Sequence, residues 1–240
     1  IQTAGSLTVK GNSTFSNNGD GIEVSSDSSV VTFDATDSVI TLNDYVKGVE
    51  CSKLNFKNGT INIAKKISVH DVTLDNTTLN LGSDNIFVNN NMFVKNDSTL
   101  NMVNNVTNTM YLNSLTLNKD LNMAVDVDLA NKSMDKIIAS NYELNGHFIN
   151  VSKMNLLSDS NSLITKILFA DNDLKNNVKT TVSEVAYSPI YKYGVGYENE
   201  TGQFVFTRND ANDEAAYNPS VFVSPVAAQL GGYMTMLDNY

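Results

Sequence analysis

The chain has 240 residues, with 16 Lys and Arg against 26 Asp and Glu, for a net charge of −10. That acidity, with Arg208 as the one arginine, excludes the electrostatic footprint of a nucleic-acid binder. The one cysteine excludes a disulfide scaffold and a cysteine zinc site, and 41% hydrophobic content excludes a disordered acidic tail.

Residue 1 is Ile, and no basic segment followed by an apolar run opens the chain, so no signal peptide is expected. The first residues read as the middle of a strand, which marks the chain as a fragment of something longer. Asn is abundant, at 35 residues.

A repeat then runs through the first two thirds. Its unit is apolar-x-apolar, a short polar turn, then Thr-apolar-Asn-apolar. One copy is Leu54-Asn55-Phe56, Lys57-Asn58-Gly59, Thr60-Ile61-Asn62-Ile63. Others begin at Val72, Met92 and Leu115, with looser ones at Leu7, Val31 and Tyr142, separated by 18 to 27 residues. Apolar and polar positions alternate, which is the period of a strand with one buried face. Thr and β-branched residues are frequent and Pro is absent before Pro189, so central strands are permitted. Asn-Gly and Asp-Asn pairs supply turns, because Asn and Gly tolerate positive φ. Several short strands per period of about 20 predict an all-β fold, a right-handed parallel β-helix over residues 1–162. Ile61, Ile63, Leu79, Leu81, Leu100 and Met102 are its expected core. Asn62, Asn80, Asn101, Asn122 and Asn150 hold matched places. Stacked in register they form an amide ladder, although the ordinary preference of Asn for turns explains the same spacing.

From Leu163 the pattern breaks. Leu163–Phe169 is a stronger apolar run, Asp171–Asn177 a polar loop, and Val182–Tyr187 a further strand. A Tyr-rich hairpin follows, Ile190–Tyr197 out and Gln203–Arg208 back, with a turn at Glu198–Gly202. A solenoid has an open apolar end that needs a different terminal unit, so residues 163–208 are the expected cap. Residues 209–240 open as an acidic linker, and from Tyr217 to Leu237 they carry no charge. Ser224 before Pro225 predicts the start of a short helix. Its two prolines, Gln229 and the Gly231-Gly232 pair make that stretch too polar to face lipid.

The order of Asn-rich coils, the hairpin Tyr193-Gly194-Val195-Gly196-Tyr197 to Arg208, and the small-residue segment 219–233 resembles the end of a passenger domain in a bacterial autotransporter, the type V secretion family. The resemblance implies a β-helical passenger on the bacterial cell surface, on the outer side of the outer membrane. It implies that the cap starts folding, and that the final helix leads into the chain's own C-terminal outer-membrane β-barrel beyond Tyr240. The expected protein is then a monomeric, non-enzymatic stalk, part of an adhesin that meets host or cell-surface ligands.

Candidate sites read as structural. His70 and His147, the only histidines, fall in different coils, and Cys51 has no motif around it. Asp171-Asn172-Asp173 and Asn17–Gly21 carry oxygen ligands at short spacing, but neither matches a calcium loop. The main rival reading is a β-helical enzyme acting on polysaccharide. Its best carboxylate pair is Asp126 and Asp128, at i and i+2 on one strand face, a pattern that an exposed strand produces as readily. A secreted or phage fibre is a second rival, and it would trimerise. Eight Asn-x-Ser/Thr sequons occur, close to the chance number for 35 Asn and 43 Ser and Thr. No catalytic, cofactor-binding or metal-binding residue is assigned.

Overall fold

A computed structural model describes residues 2–3, 5–16, 21–26, 29–48, 52–82, 88–188 and 191–209, with backbone alone at 2, 3, 88 and 89. The predicted terminal helix, Cys51 and the segment from Asn17 to Asp20 lie outside these residues.

The chain lays down short strands in rotation. The first turn holds β1 (Gln2–Thr3), β2 (Ser6–Lys10) and β3 (Ser13–Phe15), and the second β4 (Ile22–Val24), β5 (Val30–Asp34) and β6 (Val39–Leu42). Next come β7 (Val46–Gly48), β8 (Lys53–Lys57) and β9 (Thr60–Ile63), then β10 (Ile67–Ser68), β11 (Asp71–Asp75) and β12 (Thr78–Leu81). Each strand pairs in parallel with its counterpart one turn on, so three parallel sheets grow together. The later turns hold β13 (Val88–Val94) and β14 (Ser98–Asn101), then β15 (Thr109–Leu117) and β16 (Leu121–Asp128). A two-residue strand β17 (Ser133–Met134) precedes β18 (Lys136–Glu143) and β19 (Ile149–Ser158). Among the described residues the first sheet stops at β10, while β13, β15 and β18 lengthen to 7, 9 and 8 residues.

Why these residues stack is visible column by column. Leu7, Val31, Leu54, Val72, Met92, Leu115 and Tyr142, the repeat starts read from the sequence, are successive neighbours in the second sheet. In the third sheet Ile40, Ile61, Leu79, Leu100, Met123 and Val151 form one buried column. All six residues expected in the core are buried. Phe33 lies stacked on Phe56 with centroids 6.0 Å apart. The first sheet was not legible as a repeat, because two- and three-residue strands such as Ile67–Ser68 carry too little alternation.

Turns between sheets place Asn in the left-handed region, at Asn58 (φ 53°), Asn76 (φ 56°) and Asn145 (φ 51°). Gly59 follows at φ 46°, and a Cβ there would sit 1.9 Å from the Ala35 carbonyl oxygen, so that turn admits only glycine.

The last part changes pairing mode. A fourth sheet runs in the order β20 (Ile164–Leu168), β24 (Gln203–Arg208), β23 (Lys192–Glu198), β22 (Glu184–Ala186), all antiparallel. Between them a 3-10 turn over Lys175–Asn177 leads to β21 (Val178–Thr180), which still pairs in parallel with β19. The expected hairpin is present, with Glu198 opposite Gln203. Tyr193, Phe169, Phe204 and Phe206 are buried and belong to the same apolar cluster as the parallel sheets.

Candidate functional site

Polar side chains are ordered into ladders along the outer faces. In the third sheet the Asn80 amide donates to Asn62 Oδ1 at 2.8 Å, and the Asn101 amide to Asn80 Oδ1 at 2.9 Å. Asn62 extends the ladder to Thr41 Oγ1 at 3.3 Å. The expected five-residue ladder is divided in two, however. Asn101 lies opposite Ala124, Asn122 lies opposite Thr99, and a second ladder joins Asn150 to Asn122 at 2.8 Å. The cause is Leu121, which fills the buried place opposite Ser98 and carries Asn122 two residues out of step. Beside Asn62, Asn80 and Asn101 stand Thr60, Thr78 and Thr99, also in register.

The second sheet carries a charge ladder that the alternation pattern contained but that went unread. Lys10, Asp34, Lys57 and Asp75 are successive neighbours, with alternating sign, and Lys95 Nζ reaches Asp75 Oδ2 at 3.4 Å. Each position directly follows the last core residue of its strand, so alignment of the repeats finds it. Such half-exposed pairs contribute little singly and more as a network.

The two predicted carboxylates meet different surroundings. Asp126 is fully buried beneath the segment Asn104–Asn108; the register shifts place their extra residues, Ser152 and Leu157, on β19, so the alternation along β16 is unbroken. Its Oδ2 accepts the backbone N–H groups of Asn104 and Asn105, both at 2.7 Å, and its Oδ1 the Asn155 amide at 2.6 Å. Asp128 is half-buried and accepts from the Ser158 hydroxyl and from the backbone and side chain of Asn131. Burial raises the Asp128 carboxyl, but these donors outweigh it and hold the group below its ordinary value.

Asp135, absent from the sequence reading, is the true neighbour of Asp126. Its Oδ1 accepts the Asn108 N–H at 2.6 Å and its Oδ2 the Asp126 N–H at 2.7 Å. Burial pushes its carboxyl up to about 7, two backbone donors oppose this, and the Asp126 charge adds to it. No motif marks Asp135, since the pairing of β17 with β16 delivers it. A raised carboxyl beside a second carboxyl is a feature of acid–base sites. Here both are fully buried, and one oxygen of each accepts from the segment Asn104–Asn108, so they act as internal caps for that loop.

The histidines are not brought together. His70 Nδ1 lies 2.7 Å from Asp71 Oδ1, and His147 Nδ1 lies 3.4 Å from Asp120 Oδ1. Burial raises the Asp120 carboxyl, but Lys179, the Phe148 N–H and His147 together hold it below its ordinary value. Asp171 ties its own turn, accepting from the Asp173 and Leu174 N–H groups at 3.1 and 3.0 Å and from the Tyr142 hydroxyl at 3.1 Å. Burial pushes that phenol up to about 12. Among the described residues no group of three or more His, Cys, Asp and Glu is placed to hold a metal ion. An open cleft of about 450 Å³ is lined by Ser140, Asn141, Tyr142, Leu144 and Asp173. A second of like size is lined by Tyr45, Lys47, Gly48, Lys66 and Ser68, with the Lys65 ammonium 6.0 Å from the Tyr45 ring centre.

No protein-family model, no curated protein and no solved structure matches the chain.

Proposed function

We propose that this chain is a surface-exposed, non-enzymatic stalk of the autotransporter type. Its parallel sheets wind as a right-handed parallel β-helix, the hand that parallel crossovers overwhelmingly take. The antiparallel sheet caps the helix and helps it fold, and the segment after Asn209 joins it to an outer-membrane β-barrel. The observation that carries this reading is the apolar core, which runs without interruption from the aliphatic columns into the aromatic end sheet. An end unit of different pairing, seated on the last turn, is what a stacked repeat needs in order to close its core and to template the turn beneath it. Asp126 and Asp135 favour a structural over a catalytic role, because their oxygens are committed to backbone donors and to the Asn155 amide. On this reading the ladders of Thr, Asn and alternating charge are the surface that an adhesin presents to host or cell-surface ligands.

The test is the reading frame beyond the Tyr240 codon. Amphipathic strands of about ten residues ending on an aromatic are expected there. A stop codon, with a trimer by light scattering, overturns the proposal in favour of a fibre.

A further inference from the structure

Three Asn-Gly pairs occur in the chain, and the first, Asn18-Gly19, lies outside the described residues. The other two occupy equivalent corners: Asn58-Gly59 joins β8 to β9, and Asn145-Gly146 joins β18 to β19. Their surroundings are opposite. The Asn58 amide donates to Asp34 Oδ1 at 2.9 Å and to Thr36 Oγ1 at 3.0 Å, and its Oδ1 accepts from Asn76 at 3.3 Å. The Asn58 N–H donates to the Asp75 carbonyl at 3.0 Å, and the Gly59 carbonyl accepts the Thr78 N–H at 2.9 Å. That corner is fastened to the turns on both sides of it. Asn145 is tied on one side, where its amide donates to the Leu117 carbonyl at 3.1 Å and to Asn118 Oδ1 at 3.2 Å. Asn145 and Gly146 are exposed, and a Cβ on Gly146 would meet nothing within 4 Å. The Gly146 N–H donates to no group among the described residues.

We propose that Asn145 is a self-modification site, losing its side-chain amide in the folded chain by attack of the Gly146 nitrogen. Glycine has no Cβ to crowd that nitrogen. Once the N–H has given its proton to hydroxide, the nitrogen bonds to Asn145 Cγ. The Cγ–Nδ2 bond breaks, and Nδ2 leaves as ammonia with a proton taken from water. A further water opens the resulting five-membered imide at either carbonyl, leaving aspartate or isoaspartate. Aspartate sets a carboxylate against two oxygen acceptors, the Leu117 carbonyl and Asn118 Oδ1, so the corner loses both ties and gains repulsion. Isoaspartate adds a carbon to the backbone of a turn that the His147 N–H closes onto the Leu144 carbonyl at 2.8 Å. At Asn58 the same attack must first break the bonds to Asp34, Thr36 and Asn76. The inference stands apart from the stalk reading, since it concerns only the chain's own chemistry.

Ageing of the 240-residue chain in mildly alkaline buffer, followed by peptide mass spectrometry, tests it. Conversion at Asn145 is expected to run at least about tenfold faster than at Asn58, whose corner must open locally first. In urea the two pairs are expected to convert at similar rates, because only the fold distinguishes them. Similar rates in the folded chain overturn the proposal. So does an Asn145 that keeps its amide in the folded chain while losing it in urea. Asn145→Asp carries one product from the start, and its His147 amide is expected to exchange with solvent several-fold faster than in the unaltered chain. An unchanged His147 amide overturns the loosening of the corner.

Discussion

The parallel sheets and the antiparallel end sheet bury apolar surface by different rules. In the parallel part each buried side chain sits on its like one turn away, as Leu79 sits between Ile61 and Leu100. The same register stacks the polar residues outside, so one repeat unit specifies core and surface together. The end sheet has no such echo. Phe204 meets Phe169 edge-on at 5.3 Å, Tyr197 at 5.0 Å and Phe206 at 6.5 Å, a cluster of different rings met at different angles. Stacking makes a structure that can grow, and the ring cluster makes one that stops.

Paired core truncations break this comparison most sharply. Phe204→Ala removes the centre of the ring cluster and is expected to cost about 3–5 kcal/mol, with Leu79→Ala at about 2–5 kcal/mol. Urea unfolding gives the size, and amide exchange gives the spread. Phe204→Ala is expected to open the fourth sheet first, whereas Leu79→Ala weakens turns on both sides of it, as nearest-neighbour stacking requires. Equal, chain-wide loosening by both would deny that the two parts follow different rules.

A smaller effect comes from a place where the parallel part departs from simple repetition. In the folded chain Asp135 titrates near 7, against 3.8 for a free carboxyl, so the folded form holds an extra proton between those values. Its share of stability is therefore present at low pH and falls as pH rises from about 4 to about 7. Asp135→Asn cannot ionise, and its unfolding free energy is expected to lack that step whatever its absolute offset. Denaturation of both chains at pH 5 and pH 8 measures it, and identical pH slopes would place the titration elsewhere.

The least effect belongs to the ladders. Asn80→Ala cuts the middle of Asn62–Asn80–Asn101 and is expected to cost about 1 kcal/mol. Asn150→Ala is expected to cost less, since only the bond to Asn122 is lost. An equal cost in thermal or urea unfolding would show that the amides do not act as a connected row.

Much of the fold was legible because parallel stacking writes itself into the sequence. The starts from Leu7 to Tyr142 recur because each must meet the same residue type above and below. The hairpin from Tyr193 to Arg208 was legible from its turn and its alternation. The offset of Asn122 was not, because the repeat pattern does not say whether turn or strand absorbs the missing residues until Leu121 is seen to occupy the core place opposite Ser98. Nor was the burial of Asp126, since alternation puts it on the outer face and only the Asn104–Asn108 segment and Asp135, brought over it by the fold, cover it.

The amino-acid order by itself determined the strand period, the identity of the core columns and the position at which repetition ends. Those follow from side-chain alternation and local turn chemistry, which act over a few residues. Tertiary structure alone decided the short first sheet, the meeting of Asp135 with Asp126 and the pairing of β20 with β24. These depend on which strands become neighbours, and neighbours in this molecule are set by stacking across whole turns of the chain.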